Sequence, residues 1–424
     1  MIASFLLAWR TLVRGRFVPV LFAAVALVAA FLPGLVRSDG TASGEREMYI
    51  NALLGCATTI VSLAVLCAAC SHVARAREEH RLALAVVRPV AAFRALAGVW
   101  FAYVLAAAVV MAAMSAYVYF RAPGGAAPCR HHVAPVMPSP MIAARAALAE
   151  FLADPNTPDA VRKAPRGAVL SLLASREADR YDSIPPGTGV EWKFPAEWRA
   201  KSQLALRVRF ATQYEMRADL KGEFSFRGYR TVISNNTQAI LEVPLVSAPE
   251  GQRPRVEGGG TAAVAFTNTG KETVMLRPRR DIFLLVPADS FAANMMRAFM
   301  VVLSGIALAA AFGLFLSSAI SRPVAVFTAL VSAAVIFMVP SVMDQFVDEL
   351  GTPLSDRIGL MLSRSVYALT SSISDSTPIA DLADDRCVEW ADVGRAVLFN
   401  LILIPAVFLG VAAFILRRKA VNGA

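Results

Sequence analysis

Charge is what this sequence has least of. Of its 424 residues only 17% are Asp, Glu, Lys or Arg, against 56% apolar, and the mean hydropathy is +0.53. A soluble domain carries about 25% charged residues, so an ordinary soluble chain is excluded first and an integral membrane protein expected. Cysteine is sparse as well. Cys56, Cys67 and Cys70 fall in an apolar run and Cys129 and Cys387 in polar segments, which rules out a disulfide-rich scaffold. Histidine is confined to positions 72, 80, 131 and 132, leaving few bases for proton transfer. No Ser/His/Asp, Cys/His or paired-carboxylate arrangement stands out, so an enzyme is not expected. No segment fits G-x-x-x-x-G-K-[ST]; Gly270-Lys271 lacks both the preceding glycine and the following hydroxyl. No cofactor is therefore expected, and any ATP dependence belongs to a partner. The net charge of +10 comes without the basic-aromatic module or zinc spacing of a nucleic-acid binder, so no nucleic acid is expected as a partner.

What is present is a series of long apolar runs. Residues 1–16 (MIASFLLAWRTLVRGR) mix apolar and basic positions at helical spacing, the pattern of an amphipathic helix lying on a membrane interface. Spans are expected at about Phe17–Val36, Met48–Cys70, Ala95–Phe120, Ala293–Ile320, Val324–Val342 and Val393–Leu416. The first, about 20 residues, is long for a signal-peptide core and reads as a retained span. The third is rich in alanine, and small residues let helices approach closely in lipid, where packing replaces the hydrophobic drive.

Between the third and fourth runs, residues 121–289 change character. Three Pro-rich patches and two helices, about Met141–Ala153 and Gly167–Arg180, precede short alternating segments. Strands are expected at Gly189–Phe194, Gln203–Ala211, Gly222–Tyr229, Ala239–Val246, Thr261–Thr267 and Ile282–Val286. Leu204, Leu206, Val208 and Phe210 recur at every second position, as in a half-buried strand. The expected fold is thus α-helical and membrane-embedded. It has an interfacial helix, six transmembrane helices and an inserted α+β extracytoplasmic domain, helical at first and then β-sandwich-like. The domains are 1–120, 121–289 and 290–424, the last with an extracytoplasmic loop at 343–392.

Charge sets the expected orientation. Segments 1–16, 73–94, 321–323 and 417–424 hold twelve Lys or Arg against two Glu, whereas 343–392 holds ten acidic residues against three arginines. Lys and Arg close to spans are retained in the cytoplasm, so both termini are expected there, in a multi-pass protein of the bacterial inner membrane. The spans carry almost no Asp, Glu or His, the groups by which ion-coupled carriers bind their coupling ion. That leaves an externally driven permease or a passive anchor. Asn400 and Pro405 in the sixth span are either a lining or kink position or, more often for such residues, ordinary helix packing.

Cys67-Ala68-Ala69-Cys70-Ser71-His72 is not a haem site, because Ser71 separates the second cysteine from the histidine; it reads as small packing residues. Cys129-Arg130-His131-His132 offers a thiolate and imidazoles but no second cluster, and reads as an exposed turn. Cys129 and Cys387 both fall on the expected oxidising side, where they are a candidate disulfide tying the insert to the loop before the sixth span. Trp192, Trp198, Tyr214, Phe226 and Tyr229 are either sandwich core or a sugar-stacking platform, and aromatics at strand spacing are more often core.

The basic stretch Ser71–Trp100, SHVARAREEHRLALAVVRPVAAFRALAGVW, resembles the loop between spans two and three in permease subunits of type-2 ABC exporters. Glu78 stands at that family's acidic position, Leu82 at its leucine, Pro89 at its proline, Arg94 near its basic position and Gly98 at its glycine. His80 and Arg81 replace a Gly-Thr pair, and Val99 a lysine. The turn Ser321-Arg322-Pro323 and the closing Phe414–Lys419 also resemble the family. The resemblance implies a cytosolic ABC ATPase subunit docked at Arg77, Glu78, Glu79, Arg81, Leu82, Pro89, Arg94 and Gly98, which binds the ATP. It also implies a second permease chain, in a homo- or heterodimer, and membrane lipid as partners. The expected function is the permease subunit of an ATP-driven exporter. The alternative is an inner-membrane scaffold or sensor whose β-rich domain binds an envelope partner.

Overall fold

Apolar and basic positions at helical spacing fold Ile2–Arg14 into helix α1. It ends within two residues: the Gly15 amide donates to the Thr11 carbonyl at 2.8 Å, and Arg16 takes a left-handed backbone, φ 63°. The chain turns at once into α2 (Phe17–Leu35), then α3 (Ala42–Glu78) and α4 (Pro89–Arg121). The computed structural model describes residues 1–35, 42–78, 89–122, 128–137, 139–154, 157, 162, 166–178, 182–195, 203–209, 211–212, 220–226, 229–235, 240–246, 261–346 and 378–422.

Next come β1 (Arg130–Val133), α5 (Pro140–Ala153), α6 (Arg166–Ala178), β2 (Asp182–Ile184), β3 (Gly189–Pro195), β4 (Gln203–Arg209) and β5 (Ala211–Thr212). They are followed by β6 (Leu220–Phe226), β7 (Tyr229–Asn235), β8 (Ile240–Val246), β9 (Thr261–Asn268), β10 (Val274–Leu276), the short α7 (Pro278–Asp281) and β11 (Ile282–Pro287). The chain closes with α8 (Phe291–Ala319), α9 (Arg322–Phe346), α10 (Pro378–Ala383), α11 (Trp390–Ala396), a widened helical turn over Val397–Leu403, and α12 (Ile404–Asn422). In that turn the Ile404 amide reaches back five residues to the Phe399 carbonyl. Pro405 has no amide hydrogen, and its ring would strike a carbonyl four residues back in a regular helix; a widened turn relieves the clash.

Contacts divide the described residues into two units, Met1–Cys129 with Asp289–Asp344 and Gly359–Ala424, and Arg130–Ala288 with Gln345–Ile358. The first is helical. Among the described residues five helices are long and apolar enough to cross a membrane, Phe17–Leu35, Glu45–Arg75, Ala92–Arg121, Phe291–Ala319 and Trp390–Lys419, and Arg322–Val335 is a shorter apolar helix. A multi-pass helical membrane protein is therefore what the fold supports. α4 ties three neighbouring helices together. Its ring donors reach main-chain carbonyls of three neighbours: Trp100 Nε1 to Ala307 at 2.8 Å in α8, the Tyr103 hydroxyl to Ala68 at 3.2 Å in α3, and the Tyr117 hydroxyl to Ala29 at 3.3 Å in α2. α3 and α8 cross closely at Gly313, where a Cβ would lie 2.8 Å from both the Leu66 carbonyl and the Ala69 Cβ.

The second unit has three antiparallel sheets, with strand orders β1-β11-β4-β8, β2-β10-β5 and β3-β9-β6-β7. They share one core of Trp192, Phe194, Leu204, Leu206, Phe224, Phe266, Leu276 and Leu284, among others. Each such side chain contributes about 1.5–3 kcal/mol when fully buried. α5 and α6 pack on each other through Ala144, Val169 and Leu173, and α5 is capped by Ser139, whose Oγ accepts from the Ile142 amide at 3.3 Å. The expected single strand Gly222–Tyr229 is instead the meeting of β6 and β7, paired from Leu220↔Asn235 to Phe226↔Tyr229. β1, β2, β5 and β10 have two to four residues each, too short to show alternation.

Candidate functional site

The predicted docking residues fall where α3 gives way to α4. Arg77 and Glu78 end α3 and Pro89 begins α4, a favoured place for a proline because the first helical residue has no amide bond to lose. Ser71–Trp100 is thus mostly helix, and the connection shrinks to residues 79–88. Glu79, Arg81 and Leu82 lie in it, outside the described residues. Of Arg77, Glu78 and Pro89 the backbone alone is described, while Arg94 is exposed and Gly98 buried. Arg94 and Gly98 thus lie one turn apart on α4; the side chains of the other six lie outside the described residues.

Both legs of this connection are anchored. The Ala74 amide donates to Ser317 Oγ at 3.0 Å, and the Cys70 thiol donates to the Ala325 carbonyl at 3.7 Å. His72 Nδ1 lies 3.2 Å from the Tyr103 hydroxyl. On the other leg Gly98 is a seat for α1: a Cβ there would come within 2.7 Å of the Met1 carbonyl oxygen and 3.1 Å of Ser4 Cβ, and Phe5 packs edge-on against Phe101 at 5.6 Å. Lys419 Nζ donates to the carbonyls of Ser318 and Ala319 at 3.1 and 2.7 Å, closing the C-terminal end of α8 where its dipole is negative. These bonds gather the ends of α3, α8 and α12 with the starts of α4 and α9 into a basic end. Arg75, Arg94, Arg322, Arg417 and Arg418 are exposed there.

The opposite end is acidic and holds a clasp whose polar contacts the sequence did not announce. Arg46, in the first turns of α3, and Asp385, in the bend after α10, form a buried ion pair; Asp385 sits at φ 58°. Asn294 of α8 grips the following backbone from both sides, donating to the Arg386 carbonyl and accepting from the Val388 amide, each at 2.8 Å. Arg297, one turn on and 4% exposed, donates to the Val388 carbonyl at 3.0 Å and Asp289 Oδ2 at 2.6 Å. The Trp390 ring lies 5.5 Å from its guanidinium. Between these contacts Cys387 is disulfide-bonded to Cys129, Cα atoms 5.2 Å apart, and the Cys129 amide donates to the Asp289 carbonyl at 2.9 Å. Both cysteines belong to the helical unit, so the bridge closes that unit on itself. Of the clasp the Cys129–Cys387 bridge alone was legible, as two cysteines on the expected oxidising side. Beside the clasp, burial pushes the Asp381 carboxyl above its ordinary value, Arg386 at 3.6 Å opposes this, and Asp384 and Asp392 add to it.

The remaining candidates are structural. Cys129 is taken by the disulfide, and among the described residues no three His, Cys, Asp or Glu gather to hold a metal. Trp192 is buried with its ring stacked 6.1 Å from Phe266, so it is core; Trp198 and Tyr214 lie outside the described residues. Asn400 is buried within the widened turn. No protein family, curated protein or solved structure matches this chain.

Proposed function

We propose that this chain is the membrane-spanning permease subunit of an ATP-binding-cassette exporter, and that a separate cytosolic ATPase docks on the connection between α3 and α4. The observation that carries this reading is mechanical. Residues 79–88 join two long helices, each fixed at the basic end by bonds to other helices. A displacement of α3 or α4 reaches α8 through these bonds and α1 through its seat at Gly98. α9, the expected fifth span, brings the five longer helices to six crossings. Six crossings put both termini on the basic side, which the retention of Lys and Arg places in the cytoplasm of a bacterial inner membrane. The clasp and the β-rich unit then face outward, where a disulfide persists. The sequence has no P-loop, so the energy source is the partner. Each permease pairs with a second permease chain.

Affinity purification of the full chain in mild detergent tests this. A cytosolic ATPase should accompany it, and charge reversal at Glu78, Glu79 and Arg81 should release that ATPase. Purification without any ATPase, or binding indifferent to the reversal, defeats the proposal. A scaffold or sensor is the second reading, favoured by the β-rich unit having a core of its own; an envelope protein retained in place of an ATPase would select it.

A further inference from the structure

α1 carries more than its contact with α4. It buries Ala8 and Leu12 and leaves Ile2, Leu6, Arg10 and Arg14 exposed. These four are spaced four apart, so they lie along one ridge that begins apolar and ends basic. Arg16, also exposed, follows in the left-handed turn into α2. Among the described residues none of the three arginines forms an ion pair. α2 continues the path. It is the least covered of the span-length helices, 11% buried along its apolar window. Val20, Leu27, Phe31 and Leu35 are exposed on it at spacings of seven, four and four, one stripe leading away from Arg16.

We propose that Arg10, Arg14 and Arg16 bind the phosphate headgroup of an anionic phospholipid whose acyl chain lies along the Val20–Leu27–Phe31 stripe. This rests on the interfacial placement of α1 in the reading above, and not on the ATPase. Both halves of the ligand find their match within one turn of chain: guanidinium groups for a phosphate, which they bind bidentately, and exposed aliphatic side chains for hydrocarbon. An acidic protein would satisfy the arginines but leave Ile2, Leu6 and Val20 in water. A second copy of this chain would cover the stripe but bring the same arginines against their own kind.

The test is native mass spectrometry of the full chain released from bilayers of equal parts phosphatidylglycerol and phosphatidylcholine, counting each lipid retained. Phosphatidylglycerol should be held preferentially. R10Q with R14Q should weaken that retention by about fivefold for each arginine removed, while R10K with R14K restores most of it. The pair R417Q/R418Q, at the same end but off α1, should leave it unchanged. Equal retention of the two lipids by the unaltered chain overturns the proposal, as does a loss of equal size in R417Q/R418Q. So does a result in which R10Q/R14Q releases the ATPase yet keeps the lipid, which would give these arginines to the protein partner. An absent ATPase defeats the export reading and leaves this measurement intact.

Discussion

Arg46 and Asp385 make the clearest case that single residues decide this molecule. Their charges are buried together, and a buried pair losing one member leaves the other charge desolvated. Arg46→Met or Asp385→Asn alone should cost about 3–5 kcal/mol, and the double substitution less than the sum. Thermal unfolding of all three variants in detergent reads this directly; additive losses would show that the two residues do not act as a pair. Asp381 gives a pH signature of opposite sign to an ordinary ion-paired carboxylate. Burial raises its folded-state value above 3.8, so the folded form holds its proton more tightly than the unfolded. Below the unfolded value both states are protonated and the group contributes nothing. As pH rises through the window up to the raised value, the native state comes to bear a buried carboxylate and stability falls. Asp381→Asn should flatten that fall in a melting-temperature profile from pH 4 upward. An unchanged slope would place the pH dependence elsewhere.

Among elements, α4 should be sensitive to substitution, because its donors reach three other helices. Trp100→Phe removes the bond to the Ala307 carbonyl, and Tyr117→Phe the bond to Ala29. Interhelical bonds in membranes are worth about 0.6 kcal/mol on average, up to about 1.7, so each variant should lower the melting point modestly. Gly98→Leu should do more. It has to displace a backbone carbonyl, and overpacking of this kind costs about 1–3 kcal/mol. Its sign is faster proteolysis near Arg10 and Arg14 as α1 lifts; unaltered cleavage would mean α1 is held by other contacts. Helix positions were readable because apolar runs of this length have few other solutions, and expected and observed boundaries of the first and fourth spans differ by a few residues at most. The α3 boundary was not. Arg46 and Ser71–Glu78 fell outside the expected spans, yet both are helix, since tertiary partners at each end supply what the local charge pattern argued against.

For the whole molecule, the disulfide closes a loop of sequence separation 258. The chain-entropy argument gives about 5 kcal/mol for a free chain of that size. The gain should be smaller here, because spans that stay inserted already limit the unfolded state. Cys129→Ser with Cys387→Ser should lower the melting temperature, and alkylation of the unaltered chain under non-reducing conditions should label Cys56 in preference to either. Labelling of Cys129 or Cys387 without reductant would mean the bridge is not formed. The β-rich unit was read as a sandwich on its alternating strands, whereas its core is enclosed by three sheets. β1, β2, β5 and β10 were invisible because two to four residues carry no period; pairing partners define them.

Composition and apolar runs by themselves determined that this is a multi-pass helical chain with a β-rich insert. Twenty apolar residues in a row can shelter their backbone from lipid only by forming a helix. Which polar groups meet was decided by tertiary structure alone. Arg46 and Asp385 are 339 residues apart, and Asn294 and Arg297 hold main-chain atoms of residues 386 and 388. A bond to a carbonyl leaves no mark on the residue that provides it. Gly98 likewise reads in sequence as one more small residue, and only the helix laid across it shows that any side chain there would collide.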